Sequence, residues 1–152
     1  MKFTGLACVI IALGCAQALP LAAAEQKIAC KSMPAAASDA FKAAYPNAVV
    51  KNCSKENDKG KIAYEFSSEE GKTHRDVSYS EDGKLIVAEE TVTLDAVPDA
   101  VKTALKAKYP KGAVTRSEKI SGEGVVKYEF GVKNGSKKVE AVFDEQGKEM
   151  KP

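Results

Sequence analysis

Few side chains in this 152-residue chain could do chemistry. His74 is its only histidine, and tryptophan is absent. In His74-Arg75-Asp76 an imidazole two residues from a carboxylate could act as a general base. A nucleophile would have to come from Ser67-Ser68 or Ser78, and none of these has a histidine at a recognisable spacing. Glu69-Glu70, Asp82 and Asp144 could suggest calcium. A calcium loop, however, alternates its oxygen ligands over about a dozen residues around a glycine. Here the acids fall at expected hairpin turns, where Asp before Gly is favoured on backbone grounds alone. A polar strand face accounts for His74 without catalysis. No residue is assigned a catalytic or metal-ligating role, no cofactor is implied, and an envelope hydrolase is the weakest functional reading.

The elements that position these residues begin after an export signal. Lys2, the apolar run Leu6–Leu13, Pro20 and the small residues Ala22-Ala23-Ala24 follow the order of a secretory signal peptide cleaved after Ala24. An uncleaved membrane anchor is the competing reading, but Gln17, Pro20 and the small-residue run fit cleavage better. Removing 24 of 152 residues leaves 128, enough for one ordinary domain or two very small ones. Lys2 leaves with them, so 22 Lys/Arg face 21 Asp/Glu in the remainder. The signs are interspersed with no basic stripe, which argues against nucleic acid as a partner. With the signal removed, no membrane segment is expected, and the location is periplasmic or secreted.

Processing would leave two cysteines, Cys30 and Cys53, and an even pair in an exported chain reads first as a disulfide. A helix from about Pro34 to Ala44 rises roughly 16 Å, and a strand from Asn47 to Cys53 returns over roughly 20 Å. The return brings Cys53 near the level of Cys30. A redox or metal-binding pair would want a Cys-x-x-Cys spacing or a nearby histidine, and neither is present.

An internal repeat organises the remainder. Sliding the chain by 64 residues superposes Met33-Pro34 on Val97-Pro98 and Tyr45-Pro46 on Tyr109-Pro110. The same shift places Tyr64-Glu65-Phe66 on Tyr128-Glu129-Phe130 and Gly83-Lys84 on Gly147-Lys148. No gap is needed, so the chain divides into a signal peptide (1–24), a first copy (25–92) and a second copy (93–152). Met33, Ala37, Phe41 and Tyr45, like Val97, Val101, Leu105 and Tyr109, form one apolar helical stripe. Pro34 and Pro98 suit a helix start, and Pro46 and Pro110 end each helix. Ile62-Tyr64-Phe66, Val126-Tyr128-Phe130-Val132, Val77-Tyr79 and Ala141-Phe143 alternate at the period of strands. Glycines at 60, 71, 83, 124, 135 and 147 punctuate them as hairpin turns. The fold class is therefore α+β, a tandem repeat. Each copy is one helix followed by about four antiparallel strands, and both helices pack on one face of a shared sheet of about eight strands. The opposite face is expected to be mostly polar, carrying Glu65, His74, Asp76 and Ser78 from one copy and Lys127, Glu129, Lys138 and Glu140 from the other.

Together, Val97-Pro98, Tyr109-Pro110, Tyr128-Glu129-Phe130 and Phe143-Asp144-Glu145-Gln146-Gly147-Lys148, with their first-copy equivalents, resemble the PepSY-like, or β-lactamase-inhibitor-like, family of exported bacterial proteins. The resemblance spans nearly all of the chain after the signal. It implies a periplasmic or cell-surface α/β-sheet module; related folds include an inhibitor that acts through its sheet face. The shared motifs are helix, turn and core residues, so no functional residue transfers. The leading reading is a non-enzymatic binding or inhibitory module that offers its polar sheet face to an exported protein, such as a peptidase or other envelope enzyme. The alternative is a small-molecule or ion-binding protein using a cleft between the copies.

Overall fold

The computed structural model describes residues 24–58 and 60–151. The signal peptide expected over residues 1–24 lies outside them, apart from Ala24, which opens the first strand. In chain order the elements are β1 (Ala24–Lys27), α1 (Ala35–Ala44), β2 (Val49–Asp58), β3 (Lys61–Glu70), β4 (Thr73–Tyr79) and β5 (Leu85–Thr91). There follow α2 (Asp99–Lys108), β6 (Ala113–Gly122), β7 (Val125–Asn134), β8 (Lys137–Asp144) and β9 (Glu149–Met150). The 64-residue offset carries the bounds of α1, β2 and β3 onto those of α2, β6 and β7. All nine strands form one antiparallel sheet in sequence order, with the helices inserted into the β1–β2 and β5–β6 connections.

Each helix forms where its stripe predicts it and stops for a local reason. The carbonyls of Pro34 and Pro98 accept the first helical hydrogen bonds from Ser38 and Lys102. The amides of Tyr45 and Tyr109 donate to Phe41 and Leu105, after which Pro46 and Pro110 prevent another turn. Ala37 and Phe41 of α1, and Val101 and Leu105 of α2, are the buried residues. Phe41 stacks on Phe66 with ring centroids 4.6 Å apart, and Phe66 meets Tyr79 edge-on. That burial pushes the Tyr79 phenol up to about 12. In the second half Val101 and Leu105 pack with Tyr128, Phe130, Val132 and Phe143.

The strand register places both cores on one side of the sheet. Val77 of the first core pairs with Ala88, Ala88 with Ser121, and Ser121 with Val126, which packs on the second core. Partners directly across an antiparallel ladder share a face. The hairpin turns then close onto the helices. Gly83 and Gly147 have φ of 81° and 79°, and a Cβ there would stand 2.7 Å from the Ala36 carbonyl oxygen or 2.6 Å from that of Ala100. Both backbone shape and space require glycine.

Three features depart from the sequence reading. The sheet has nine strands among the described residues rather than about eight, because Ala24–Lys27 adds an edge strand on β2. A bulge falls between Val50 and Asn52 on β2 and at the equivalent place, between Val114 and Arg116, on β6; alternation alone does not reveal an inserted residue. Arg75, on the core side of β4, reaches Glu70 at 2.8 Å and Glu90 at 2.6 Å and lies over the Tyr45 ring at 4.9 Å.

The disulfide joins Cys30 to Cys53, their Cα atoms 5.2 Å apart, and the Ile28 amide donates to the Cys53 carbonyl. The bridge thus ties the entry to α1 to the β1–β2 edge. Replacing both cysteines by alanine is expected to lower stability by about 3 kcal/mol in the chain-entropy model, measured by urea unfolding; an unchanged midpoint would contradict this role. Ser68 is fully buried on the core side, where the second half has Val132, and its hydroxyl has no hydrogen-bond partner among the described residues. Ser68→Ala is therefore expected to raise stability by about 1 kcal/mol, read as a higher thermal midpoint.

Candidate functional site

Because both helices cover one face, the other face lies open, and every expected site residue except the cysteines falls on it. Register fixes this: Glu65 pairs with Ser54 and Ser78, and Asp76 with Ser67 and Glu89. Glu129 pairs with Glu118 and Val142, Lys127 with Ile120 and Asp144, Glu140 with Gly131, and Lys138 with Lys133. His74 Nε2 lies 3.1 Å from Asp76 Oδ2 at an exposed position. The structure therefore puts Glu65, His74 and Asp76 on this face in one half and Lys127, Glu129, Lys138 and Glu140 in the other; Arg116 joins Glu129 to Glu140, whereas Lys127 and Lys138 stand near opposite ends of the β7–β8 ladder. Ser78 is on this face but only 6% exposed, so it offers little surface.

At least one carboxylate stands on each of eight consecutive strands of this face, among them Glu25, Glu56, Glu65, Asp76, Glu89, Glu118, Glu129 and Glu140. Three acid pairs face each other directly across the ladder, Glu25 with Glu56, Asp76 with Glu89, and Glu118 with Glu129. Like charges so placed are destabilising. Only in the second half does an arginine relieve them. Arg116 reaches Glu118 at 3.1 Å, Glu129 at 2.5 Å and Glu140 at 3.3 Å. In the first half, partial burial and then the charges of Asp76, Glu25, Glu56 and Glu89 hold the Glu65 carboxyl above its ordinary range. Glu89 is raised in the same way, first by lost hydration and then by Glu118, Glu129 and Asp76.

The face is also less uniformly polar than the sequence suggests. Ile120 and Val142 are 7% and 0% exposed on the helix-free side, where the first half has Glu56 and Ser78. Beside them a trough of about 490 Å³ is lined by Ile86, Val87, Ile120, Val125 and Met150, with Glu89 and Lys127 among its charged residues. It lies along the β5–β6 junction. Strand parity in a single copy did not separate these residues from the polar positions around them. Comparison at the 64-residue offset could have done so, because Glu56 becomes Ile120 and Ser78 becomes Val142.

The pattern of beta-lactamase-inhibitor-like, PepSY-like proteins matches residues 21–87 and again 72–151. The chain belongs to this PepSY-like family. Solved structures of similar fold include a BLIP-like protein from Bacteroides fragilis, 23% identical with a TM-score of 0.61 over 76% of this chain and 82% of that one. A protein from Bacteroides eggerthii described as periplasmic is 22% identical, TM-score 0.62, over 78% and 86% of the two chains. A domain-of-unknown-function protein from Bacteroides ovatus is 18% identical, TM-score 0.60, over 79% and 86%. At these identities the likeness is one of fold. No curated protein matches the chain.

In this PepSY-like chain no three His, Cys, Asp or Glu residues gather as metal ligands would, among the described residues. Nor is any described helix long and apolar enough to cross a membrane. The open face is instead electrostatically loaded. Since the folded state raises the Glu65 and Glu89 carboxyls above their unfolded values, their ionisation opposes folding. The penalty is full above the folded pKa and fades as pH falls through the carboxylate range. Glu65→Gln and Glu89→Gln should each melt higher than the parent protein at pH 7. The gain should disappear near pH 3, about one unit below the ordinary carboxylate pKa. A pH-independent gain would show that charge is not its source.

Proposed function

We propose that the chain is an exported, non-enzymatic binding or inhibitory module whose helix-free sheet face engages another envelope protein. The observation that carries this reading is the crowding of carboxylates at the junction, where Asp76 faces Glu89 directly across the ladder with Glu65 on the neighbouring strand, Glu89 lines the apolar trough, and the Glu65 and Glu89 carboxyls are raised at a cost to folding. Perturbed ionisation clusters at functional surfaces. An apolar centre with a charged rim is also the anatomy of a recognition surface. The partner that fits is a protein presenting basic side chains around an apolar anchor. Membership of a beta-lactamase-inhibitor-like family supports the reading by analogy of fold. In this reading the chain is two copies of helix-then-strands, bounded at 25–92 and 93–152, exported by a signal cleaved after Ala24. Glu65, His74, Asp76, Lys127, Glu129, Lys138 and Glu140 contribute to the contact surface, with Ser78 beneath it.

Immobilised protein should retain a specific partner from periplasmic extract of the native host. Retention should weaken with salt and be lost in the Glu65→Lys, Glu129→Lys double variant. Failure to enrich any protein, or equal retention by the charge-reversed variant, would overturn the proposal.

A further inference from the structure

On the opposite, helix-covered side, a groove of about 350 Å³ runs beside α2. Leu105 and Val132, 6% and 2% exposed, line it with Val114, and Leu94 leaves 41% of its surface in water beside them. Lys102 and Lys106 also line it, and no carboxylate does. Lys102 is held by Asp99 at 2.9 Å, whereas Lys106 makes no ion pair among the described residues.

The duplication supplies an internal comparison. The equivalent groove beside α1 is smaller, about 260 Å³. Phe41 stands there in place of Leu105 and Ala48 in place of Gly112, and both replacements remove space. Cys30, tied to Cys53, occupies the place of Leu94, and Ser38 that of Lys102. The second half has therefore exchanged bulk and a covalent closure for a wider apolar groove, an exposed leucine and an added cation. Lys102 is already neutralised by Asp99, so Lys106, one turn further along the same helix face and without an ion pair among the described residues, is the cation left to meet an anion in the groove. The size is at the lower end of small-molecule sites, which run from roughly 300 to 1,000 Å³.

We infer that the α2 groove binds a small amphipathic anion, a carboxylate whose aliphatic or aromatic tail lies against Leu105, Val114 and Val132 while its head meets Lys106. The site is on the other side of the sheet from the proposed protein-binding face, so either can fail without the other. The test is titration of the full processed chain with sodium decanoate, followed by methyl NMR. Saturable shifts are expected at Leu94, Leu105, Val114 and Val132, and not at Ile120 or Val142. Lys106→Glu, an exposed substitution that leaves the core intact, should weaken binding about fivefold or more, and the uncharged analogue decanol should bind correspondingly less well. Phosphatidylglycerol vesicles should not sediment the protein, because a groove of this size fits a free anion rather than a bilayer surface. Absence of saturable shifts, equal affinity in Lys106→Glu, shifts confined to the helix-free face, or sedimentation with vesicles would each overturn the inference.

Discussion

Where β5 meets β6, Ala88, Glu89, Glu90 and Thr91 take Ser121, Ile120, Lys119 and Glu118 as their partners, and the Ser117 hydroxyl donates to the Val92 carbonyl at 2.6 Å. This short ladder joins two units that would each have a marginal core. It continues the sheet without a break, so both helices must lie on the same side. It also brings the acidic strands of the first half against the charge-balanced strands of the second. The open face, its junction trough and its line of carboxylates all follow from that single join.

The two faces solve different physical problems. On the helix side, apolar stripes meet apolar strand positions, and the half-buried Arg75 is matched by Glu70, Glu90 and the Tyr45 ring. On the open side, cross-strand acid pairs persist with no arginine beside them until Arg116. A sheet selected for stability alone would alternate charges across its ladder. In the proposed function, a basic partner supplies the compensation that these opposed carboxylates lack within the sheet. The groove beside α2 poses the converse case, with cations and apolar surface together and no acid lining it.

Much of the architecture was legible in the residues because local rules and the repeat agreed. Proline and tyrosine-proline marked the helix ends, glycines at matching places in both copies marked the hairpins, and period-two alternation marked the buried parity of β3, β4, β7 and β8. The Cys30–Cys53 bridge was read from an even cysteine pair behind an export signal, and the lengths of the helix and the returning strand agreed with it. Less visible were features that depend on neighbours distant in sequence. Ser78 lies at a polar parity yet is buried between Glu65 and Val87. Arg75 reads as part of a charged triplet yet turns to the core side. The edge strand at Ala24–Lys27 has no apolar pattern of its own and exists because β2 extends past the disulfide and offers it a ladder.

By itself the sequence determined the element types, the duplication, the turn positions and the family, since each is written in spacings shorter than a strand or in the 64-residue period. Only the tertiary structure decided which charges oppose one another, which outward residues are shielded, and which of two equivalent grooves is wider. Those outcomes depend on register, bulges and side-chain bulk across paired strands. Residues brought together in that way are separated by up to tens of positions along the chain, where no local pattern records their meeting.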